Sequence, residues 1–337
     1  MTKTYIIAEV GVNHNGQLQI ALDLIEKAKE AEVDCVKFQT FKADKIVTKV
    51  SPKANYQLKV TDENESQFDM LKKLELEFDD YKILIKRCQE LSIDFLSTPY
   101  NYEDVDFLEQ LSVSGYKIAS GQLTEIPFLK YVASKHKKMI ISTGMATISN
   151  IFDAVEAIRS IGNNDIVVLQ CTTNYPSVIE DSNLLSMKSI QEACGVEIGY
   201  SDHVQNNFAC YAAVALGAKI IEKHFTLDKN MPGPDHTSSL NPEEFKDLVI
   251  GIRQIEMSLG SSIKKPTIIE SQNIFGMKRS LVAEQFISKG TIIKHQHIGF
   301  KRPANGMEVN MIDQIIGKEV IKDLEKDEPF QFNCIKW

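Results

Sequence analysis

The sequence predicts an α/β protein, a (β/α)8 TIM barrel followed by a small, mostly β domain. Two observations carry this prediction. Within roughly the first 260 residues, short β-type segments alternate eight times with longer amphipathic segments, which is the size and order of such a barrel. After Gly260 the alternation stops, and short strand-like pieces separated by turn residues take its place.

The eight predicted strands are rich in Ile, Val, Phe and Tyr, and several lack polar alternation. Continuous apolar runs of this kind are typical of parallel strands that are buried on both faces. In chain order the predicted strands are 5–8, 35–39, 94–98, 116–120, 139–143, 166–170, 197–201 and 219–224.

The segments between the strands carry helical spacing, as the apolar residues of 18–28 do. After the eighth strand, Asn241 is a predicted N-cap and Pro242 the first residue of a helix that runs to about Leu259. A doubly wound sheet is the alternative, but it usually has fewer such units. Neither G-x-G-x-x-G nor G-x-x-x-x-G-K-[ST] occurs in the chain.

Two polar insertions, 41–66 and 225–240, interrupt the barrel pattern, and long loops of this kind are often lids or binding loops. We therefore divide the chain into a barrel domain (1–260), a linker (261–278) and a small domain (279–337). A domain of that size needs support from a neighbour.

Charge and cysteine content exclude several classes. The formal net charge is −8, which argues against nucleic-acid and anionic-membrane partners because both need basic patches. The cysteines form no C-x-x-C pair, which favours reduced, buried thiols. No segment has the length of a membrane span or the pattern of a signal peptide, so we expect a soluble, cytoplasmic protein.

Polar side chains follow nearly every predicted strand, at the end where TIM-barrel active sites lie. His203 and His224 end neighbouring strands, so they can share a divalent metal ion that keeps open positions for water and substrate. The alternative is a pair of structural histidines held by hydrogen bonds.

Lys37 and Lys117 lie among apolar neighbours, where a buried ammonium is costly unless an anion compensates it. With the hydroxyls at strand ends they favour a phosphate or carboxylate site, although one lysine could instead form a Schiff base. Glu9, which emerges from an apolar run, is either an acid/base group or a partner of one of these lysines.

The chain resembles the bacterial N-acetylneuraminate (sialic acid) synthase family through an ordered set of motifs: AEVGVNHNG, VKFQTFKADK, LSTPY, KIASG, ISTGMAT, CTTNYP, GYSDH, ALGAKIIEKHFTLDK, PGPDH and KRPANGM. The resemblance implies a barrel followed by an antifreeze-like, or SAF, domain. It implies condensation of phosphoenolpyruvate with an N-acetylated aminosugar, with release of phosphate. It also implies a divalent metal, usually manganese with magnesium or cobalt as alternatives, and a domain-swapped homodimer.

The resemblance also assigns residues to roles, position by position. Glu9, Lys117 and Gln122 stand at catalytic positions, and His203 and His224 at metal positions. Gln122 departs from the family, which often has Glu there, and an amide cannot take up a proton as a carboxylate does. The remaining substrate-binding positions are Lys37, Gln39, Thr98, Ser120, Ser142, Tyr175, Ser201, Asp235 and Arg302.

The resulting expectation is an N-acetylneuraminate synthase that uses N-acetylmannosamine. The alternative is a legionaminic acid synthase that uses a 2,4-diacetamido-trideoxy-mannose, because those enzymes share nearly all the motifs. Two rival functions stay open, a metal-dependent aldolase that uses free pyruvate and a carbohydrate- or ice-binding protein with an inert barrel.

Overall fold

The computed structural model describes residues 3–62 and 64–337. The chain divides into two compact units, residues 1–260 and 261–337.

The first unit is built on eight parallel strands in the order β3-β2-β1-β8-β7-β6-β5-β4. The terminal strands of that order, β3 and β4, lie in contact, so the sheet closes on itself as the predicted TIM barrel does. The strands are β1 (Tyr5–Gly11), β2 (Cys35–Thr40), β3 (Asp94–Pro99), β4 (Gly115–Ile118), β5 (Lys138–Ser142), β6 (Ile166–Cys171), β7 (Glu197–Asp202) and β8 (Ile220–His224).

Helices cover the outer face of this sheet with their apolar stripes. In α1, for example, Ala21, Leu24, Ile25 and Ala28 are buried against it. The helices of the first unit are α1 (Leu18–Glu30), α2 (Ala43–Ile46), α3 (Asn55–Val60), α4 (Gln67–Lys72), α5 (Phe78–Leu91), α6 (Tyr102–Gln110), α7 (Ile126–Ala133), α8 (Ile148–Arg159), α9 (Ser186–Cys194), α10 (Phe208–Ala215) and α11 (Pro242–Leu259).

The start of α11 follows the sequence signal closely. The side chain of Asn241 accepts a hydrogen bond from the backbone N–H of Glu244 at 3.0 Å, and Pro242 is the first helical residue. The helix ends at Leu259, as predicted.

The observed strands differ from the predicted ones by one to three residues at their ends, and two differences from the predicted boundaries bear on the site. Strand β4 ends at Ile118 rather than at residue 120 because the backbone N–H of Gln122 donates to Ala119 and turns the chain out of the sheet. The insertion after β2 extends to residue 77 and contains three short helices, α2 to α4. We call residues 41–77 the lid segment.

The barrel interior has an apolar floor and a polar mouth. The floor is a cluster of Ile7, Cys35, Leu96, Ile140, Val167, Leu169 and Ile220. Side chains alternate along a strand, so the inward position two residues beyond Ile220 belongs to Glu222 and the next to His224. Lys223, between them, is buried outside the barrel against Asp202. The alternation therefore puts functional groups at the carboxyl ends of the strands.

The second unit has its own apolar core and an antiparallel pair, β9 (Ser280–Ala283) and β10 (Ile298–Lys301). Isolated bridges extend the pairing, and a short helix α13 (Ile312–Ile315) packs beside it. The predicted linker contains α12 (Ile268–Met277). The backbone N–H of Ala304 donates to the carbonyl of Phe275, which ties α12 into this unit.

Two further observations concern the whole described chain. All six cysteines are buried and free of disulfide bonds, as the sequence predicts. Within residues 3–62 and 64–337, no helix is both long enough and apolar enough to cross a bilayer.

Candidate active site

A cavity of about 270 Å³ opens at the carboxyl ends of the barrel strands. Its wall includes most of the site residues that the sequence predicts: Glu9, Lys37, Gln39, Thr98, Lys117, Ser120, Ser142, Tyr175, Ser201, His203, His224 and Asp235. Each of the eight strands, or the loop that follows it, contributes at least one of these residues, so closure of the barrel brings them together.

Two buried lysines form the charged end of the cavity. Lys37 on β2 contacts the carboxylate of Glu9 on β1 and donates to the hydroxyl of Thr98 at 3.3 Å. Lys117 on β4 donates to Ser142 Oγ at 2.6 Å and to the carbonyl of Ile118 at 3.0 Å. Both ammonium groups therefore point at hydroxyls that can also hold an anion.

Glu222 lies between these lysines, although it is not among the site residues predicted from the sequence. One carboxylate oxygen is 3.6 Å from Lys117 Nζ, and the other is 3.8 Å from Lys37 Nζ. Ser201 donates to it at 2.9 Å. Its place two residues before His224 in the eighth strand was the available signal, because strand alternation puts both on the inner face.

Burial and pairing shift the ionisation of this cluster. Burial raises the pKa of Glu9 above its usual range, against the opposing charge of Lys37. Burial lowers the pKa of Lys117 although Glu222 favours its charged form. Glu222 itself keeps a lowered pKa because Lys117 and Lys37 outweigh the effect of burial. Glu9 is thus the carboxyl group of the cluster that is more easily protonated.

The two histidines face each other across adjacent strand ends, with ring centroids 5.3 Å apart. His203 Nδ1 donates to the carbonyl of Thr172 at 2.7 Å, which fixes the tautomer of the neutral ring. Burial alone would lower the pKa of His203, but the thiol of Cys171 raises it. Burial and then the neighbouring His203 hold the pKa of His224 well below its usual value. Its buried Nδ1 has no hydrogen-bond partner among the described residues. In their neutral forms, two imidazoles in this arrangement are suited to bind a metal ion.

The described residues contain no group of three or more His, Cys, Asp or Glu side chains that would hold a metal by themselves. An ion bound here would therefore take two protein nitrogens and complete its shell with water or substrate, as in open catalytic sites.

A second polar chain leads from Glu9 to the opposite side of the cavity. Gln39 Nε2 donates to Glu9 Oε1 at 3.0 Å, and Tyr100 donates to Gln39 Oε1 at 3.2 Å. Asp235 also lines the cavity, and burial followed by the charge of Glu9 raises its pKa to about 6. This side is less charged than the lysine side and offers amide, hydroxyl and carboxyl groups.

Aromatic rings cover the histidines. The ring of Tyr175 lies 4.0 Å from that of His203 and 5.6 Å from that of His224, between centroids. Tyr56 of the lid segment packs on Tyr175 at 4.8 Å. Sequence reasoning placed Tyr175 in the site but missed Tyr56, because a single aromatic residue in a short polar helix gives no periodic signal.

Gln122 differs from the other predicted site residues. Its Nε2 donates to the carbonyls of Pro99 at 3.2 Å and Tyr100 at 3.3 Å, and the side chain is buried. Among the described residues that line the cavity, its neighbours Ser120 and Gly121 are present and Gln122 is not. The geometry therefore gives the expected catalytic role no support. Instead, the amide holds the end of β3 against the turn after β4, where the barrel closes.

Arg302 belongs to the second unit. Its Nε donates to the carbonyl of Met277 at 3.0 Å, at the end of α12. The side chain is thus fixed to the helix of its own unit.

Comparison with known proteins identifies the family. The model of the NeuB family matches residues 24–264, and that of the SAF domain matches residues 278–336. An N,N'-diacetyllegionaminic acid synthase of Campylobacter jejuni is 46% identical over 97% of this chain and 99% of its own length. A second N,N'-diacetyllegionaminic acid synthase, from Legionella pneumophila, is 41% identical over 95% of this chain and 91% of its own length. The N-acetylneuraminic acid synthetase of Leptospira borgpetersenii, solved with citrate, is 30% identical with a TM-score of 0.72, over 81% of this chain and 90% of its own.

These matches define an enzyme that synthesises nonulosonic acids, the class expected from the sequence. The chain belongs to the NeuB family and carries a SAF domain at its C-terminal end.

The position of Gln122 generates a stability prediction. A carboxylate in Gln122→Glu would face two carbonyls, so burial should raise its pKa in the folded state above the unfolded value. The fold then favours the protonated form, and stability is lost as pH rises through the folded pKa. We expect the free energy of unfolding in urea to fall by about 1–3 kcal/mol relative to the parent at pH 8, and by less at pH 5.

The matched control is Gln122→Met, which removes the donors without adding a titratable group. Its loss of stability should be the same at both pH values. Equal losses at pH 5 and pH 8 for Gln122→Glu would contradict the arrangement described.

Proposed function

We propose that this protein condenses phosphoenolpyruvate with a 2,4-diacetamido-trideoxy-mannose to give N,N'-diacetyllegionaminic acid and phosphate. The observation that carries this choice is the 46% identity to the Campylobacter jejuni synthase, over nearly the full length of both chains. It favours the alternative raised from the sequence over the main expectation, N-acetylneuraminate synthesis.

The lysine end of the cavity suits phosphoenolpyruvate, which carries a phosphate and a carboxylate. Lys37 and Lys117 supply two ammonium groups, and Thr98, Ser120, Ser142 and Ser201 supply hydroxyls. Charge-assisted hydrogen bonds of this kind are the strong ones in a buried site. Without substrate, Glu9 and Glu222 offset the lysine charges, so protonation of Glu9 would leave a net positive site for the anion.

Glu9 is our candidate for proton transfer. Burial raises its pKa, which makes it easier to protonate than an exposed carboxyl group, and Gln39 orients the carboxyl group by donating to its Oε1 at 3.0 Å. The new bond joins C3 of phosphoenolpyruvate, its methylene carbon, to the aldehyde carbon of the open-chain sugar, whose oxygen takes up a proton. Water then adds at C2, the carbon that bears the phosphate, and loses a proton, and the tetrahedral intermediate expels phosphate. Lys117 and Lys37 hold that phosphate throughout, which places the reacting atoms and stabilises developing charge.

His203 and His224 would hold the divalent ion that the resemblance implies. The fit rests on the unpartnered Nδ1 of His224 and on the fixed tautomer of His203. When bound, such an ion polarises the aldehyde oxygen as a Lewis acid. Gln39, Tyr175 and Asp235 line the adjacent wall and are our candidates for contacts with the sugar.

An aldolase that uses free pyruvate is the second candidate. The lowered pKa of Lys117 favours it, because a neutral amine is the nucleophile in Schiff-base formation. The pair of lysines and the hydroxyls around them favour a phosphorylated substrate instead. The two reactions can be distinguished by a phosphate assay, because condensation of phosphoenolpyruvate releases phosphate and an aldol reaction of free pyruvate does not.

We also infer the domain-swapped homodimer that the resemblance implies, with Arg302 of one subunit reaching the sugar in the other. The supporting feature is α12, in which Ile268, Ile269, Phe275 and Met277 are all exposed, Ile268 by 82%. An apolar helix face of this kind is typical of a protein–protein contact.

The reaction can be tested directly. We expect phosphate release and a product of legionaminic acid mass when phosphoenolpyruvate and the diacetamido sugar are supplied, as measured by a phosphate assay and mass spectrometry. Lys117→Met should lower kcat/KM by about 100-fold or more, because the buried anion loses a charged partner. Lys3→Met, on the surface, serves as the control. Turnover of free pyruvate with no use of phosphoenolpyruvate would contradict the proposal.

The metal assignment has its own test. Wild-type enzyme treated with a chelator should lose turnover and regain it with manganese, while His203→Ala should bind the ion at least about tenfold more weakly in calorimetry. Magnesium and cobalt are compared in the same series. Full activity after chelation would remove the metal from the mechanism.

The dimer is tested through α12. Ile269→Asp places a charge on the exposed apolar face and should convert dimer to monomer in analytical ultracentrifugation. Leu185→Asp, at an exposed apolar position of the barrel, is the matched control and should leave the dimer intact. A monomeric wild-type protein at micromolar concentration would contradict the inference.

A further inference from the structure

The cavity has two chemically different ends. The strands supply its charged end, around Lys37, Lys117 and Glu222. The lid segment, together with one residue that follows β1, supplies an apolar wall. We use that name for Val12, Phe41, Ile46, Val47, Met70 and Leu71, all of which line the cavity.

Part of the apolar wall belongs to a packed cluster. Val12, Phe41, Met70 and Leu74 are buried together, and Ile46, Leu71 and Tyr100 pack against them. Met70 is 4% exposed, and α4, which carries it, packs against α2. Well-packed side chains of this kind present a surface of fixed shape.

Polar contacts anchor the lid segment at both of its ends. The backbone N–H of Ala43 donates to Glu75 Oε1 at 2.7 Å, and Lys42 Nζ donates to the carbonyl of Leu76 at 3.2 Å. Inside the segment, the buried ammonium of Lys53 donates to the carbonyl of Asp62 at 2.6 Å. These contacts join the two ends of the lid segment to each other and fix its internal shape, and with it the shape of the apolar wall.

The same segment also supplies two carboxamides to the cavity. Gln57 and Gln67 both line it, and Gln67 Nε2 donates to Gln57 Oε1 at 3.2 Å. A carboxamide offers donors and an acceptor, which matches the amide of an acetamido group. Apolar and amide surface therefore occur together on one wall.

This combination distinguishes the two candidate sugars. The diacetamido-trideoxy sugar carries a methyl group and a second acetamido group where N-acetylmannosamine carries a hydroxymethyl and a hydroxyl group. Methyl groups gain free energy against apolar side chains. A hydroxyl placed there loses its hydrogen bonds to water without replacement.

We propose that the apolar wall of the lid segment, through Met70, is the specificity determinant for the sugar and selects the deoxy, diacetamido substrate. This inference rests on the proposed function and adds the residues that make the choice. A hydrophobic surface rejects an added hydroxyl by up to about 100-fold, which sets the scale of the expected discrimination.

The experiment compares kcat/KM for the two sugars at saturating phosphoenolpyruvate. Met70→Gln, close in shape but polar, should lower the ratio of diacetamido sugar to N-acetylmannosamine by about tenfold. The KM for phosphoenolpyruvate should stay within about twofold of wild type, because the charged end is unchanged. Ile46→Thr is a second variant at a half-buried wall position, in case Met70→Gln fails to fold.

The matched control is Leu74→Gln, which puts the same amide into the same cluster at a residue outside the cavity lining. It should lower stability and leave the sugar ratio at the wild-type value. An unchanged ratio in both wall variants would overturn the inference. A wild-type enzyme that uses neither sugar with phosphoenolpyruvate would overturn the proposed function itself, which is a different result.

Discussion

Two ammonium groups buried in the mouth of the barrel constrain the rest of the structure. Lys37 and Lys117 are removed from water, so each needs a compensating carboxylate or a bound anion. Glu9 and Glu222 provide that compensation in the free enzyme. Burial raises the pKa of Glu9, whereas for Glu222 the effect of burial is outweighed by Lys117 and Lys37. An anionic substrate must therefore enter a site whose charges are already balanced, and uptake of a proton by Glu9 would leave the net positive charge that an anion needs.

The barrel supports this buried charge cluster through the packing of its apolar floor. Eight parallel strands aim their carboxyl ends at one mouth, and the alternation of side chains separates an apolar floor from a polar rim. The floor supplies the packing that a buried charge cluster does not. At the position where β3 and β4 meet without regular pairing, the amide of Gln122 bonds the two sides. Its two donors explain why an amide suits this position.

The strands and the lid segment contribute chemically different side chains to the cavity. The strands and the turns that follow them hold the charged groups and the two histidines, to which we assign the steps common to the reaction class. The lid segment supplies the apolar wall and the carboxamides, to which we assign the choice of sugar. A family that makes several nonulosonic acids can keep the first set and vary the second, because loops on a barrel change without disturbing its core.

The sequence by itself determined the barrel and the C-terminal domain, because periodicity locates strand ends and a barrel brings those ends together. Strand ends and the motifs of the resembled family together also identified twelve side chains that line the cavity. Only the tertiary structure decided the rest. It showed that Glu222 joins the lysines, that Gln122 bonds to backbone, and that the lid segment forms an apolar wall. The helices of that segment have four to six residues, too few for a periodic signal, and their conformation depends on packing against the barrel mouth.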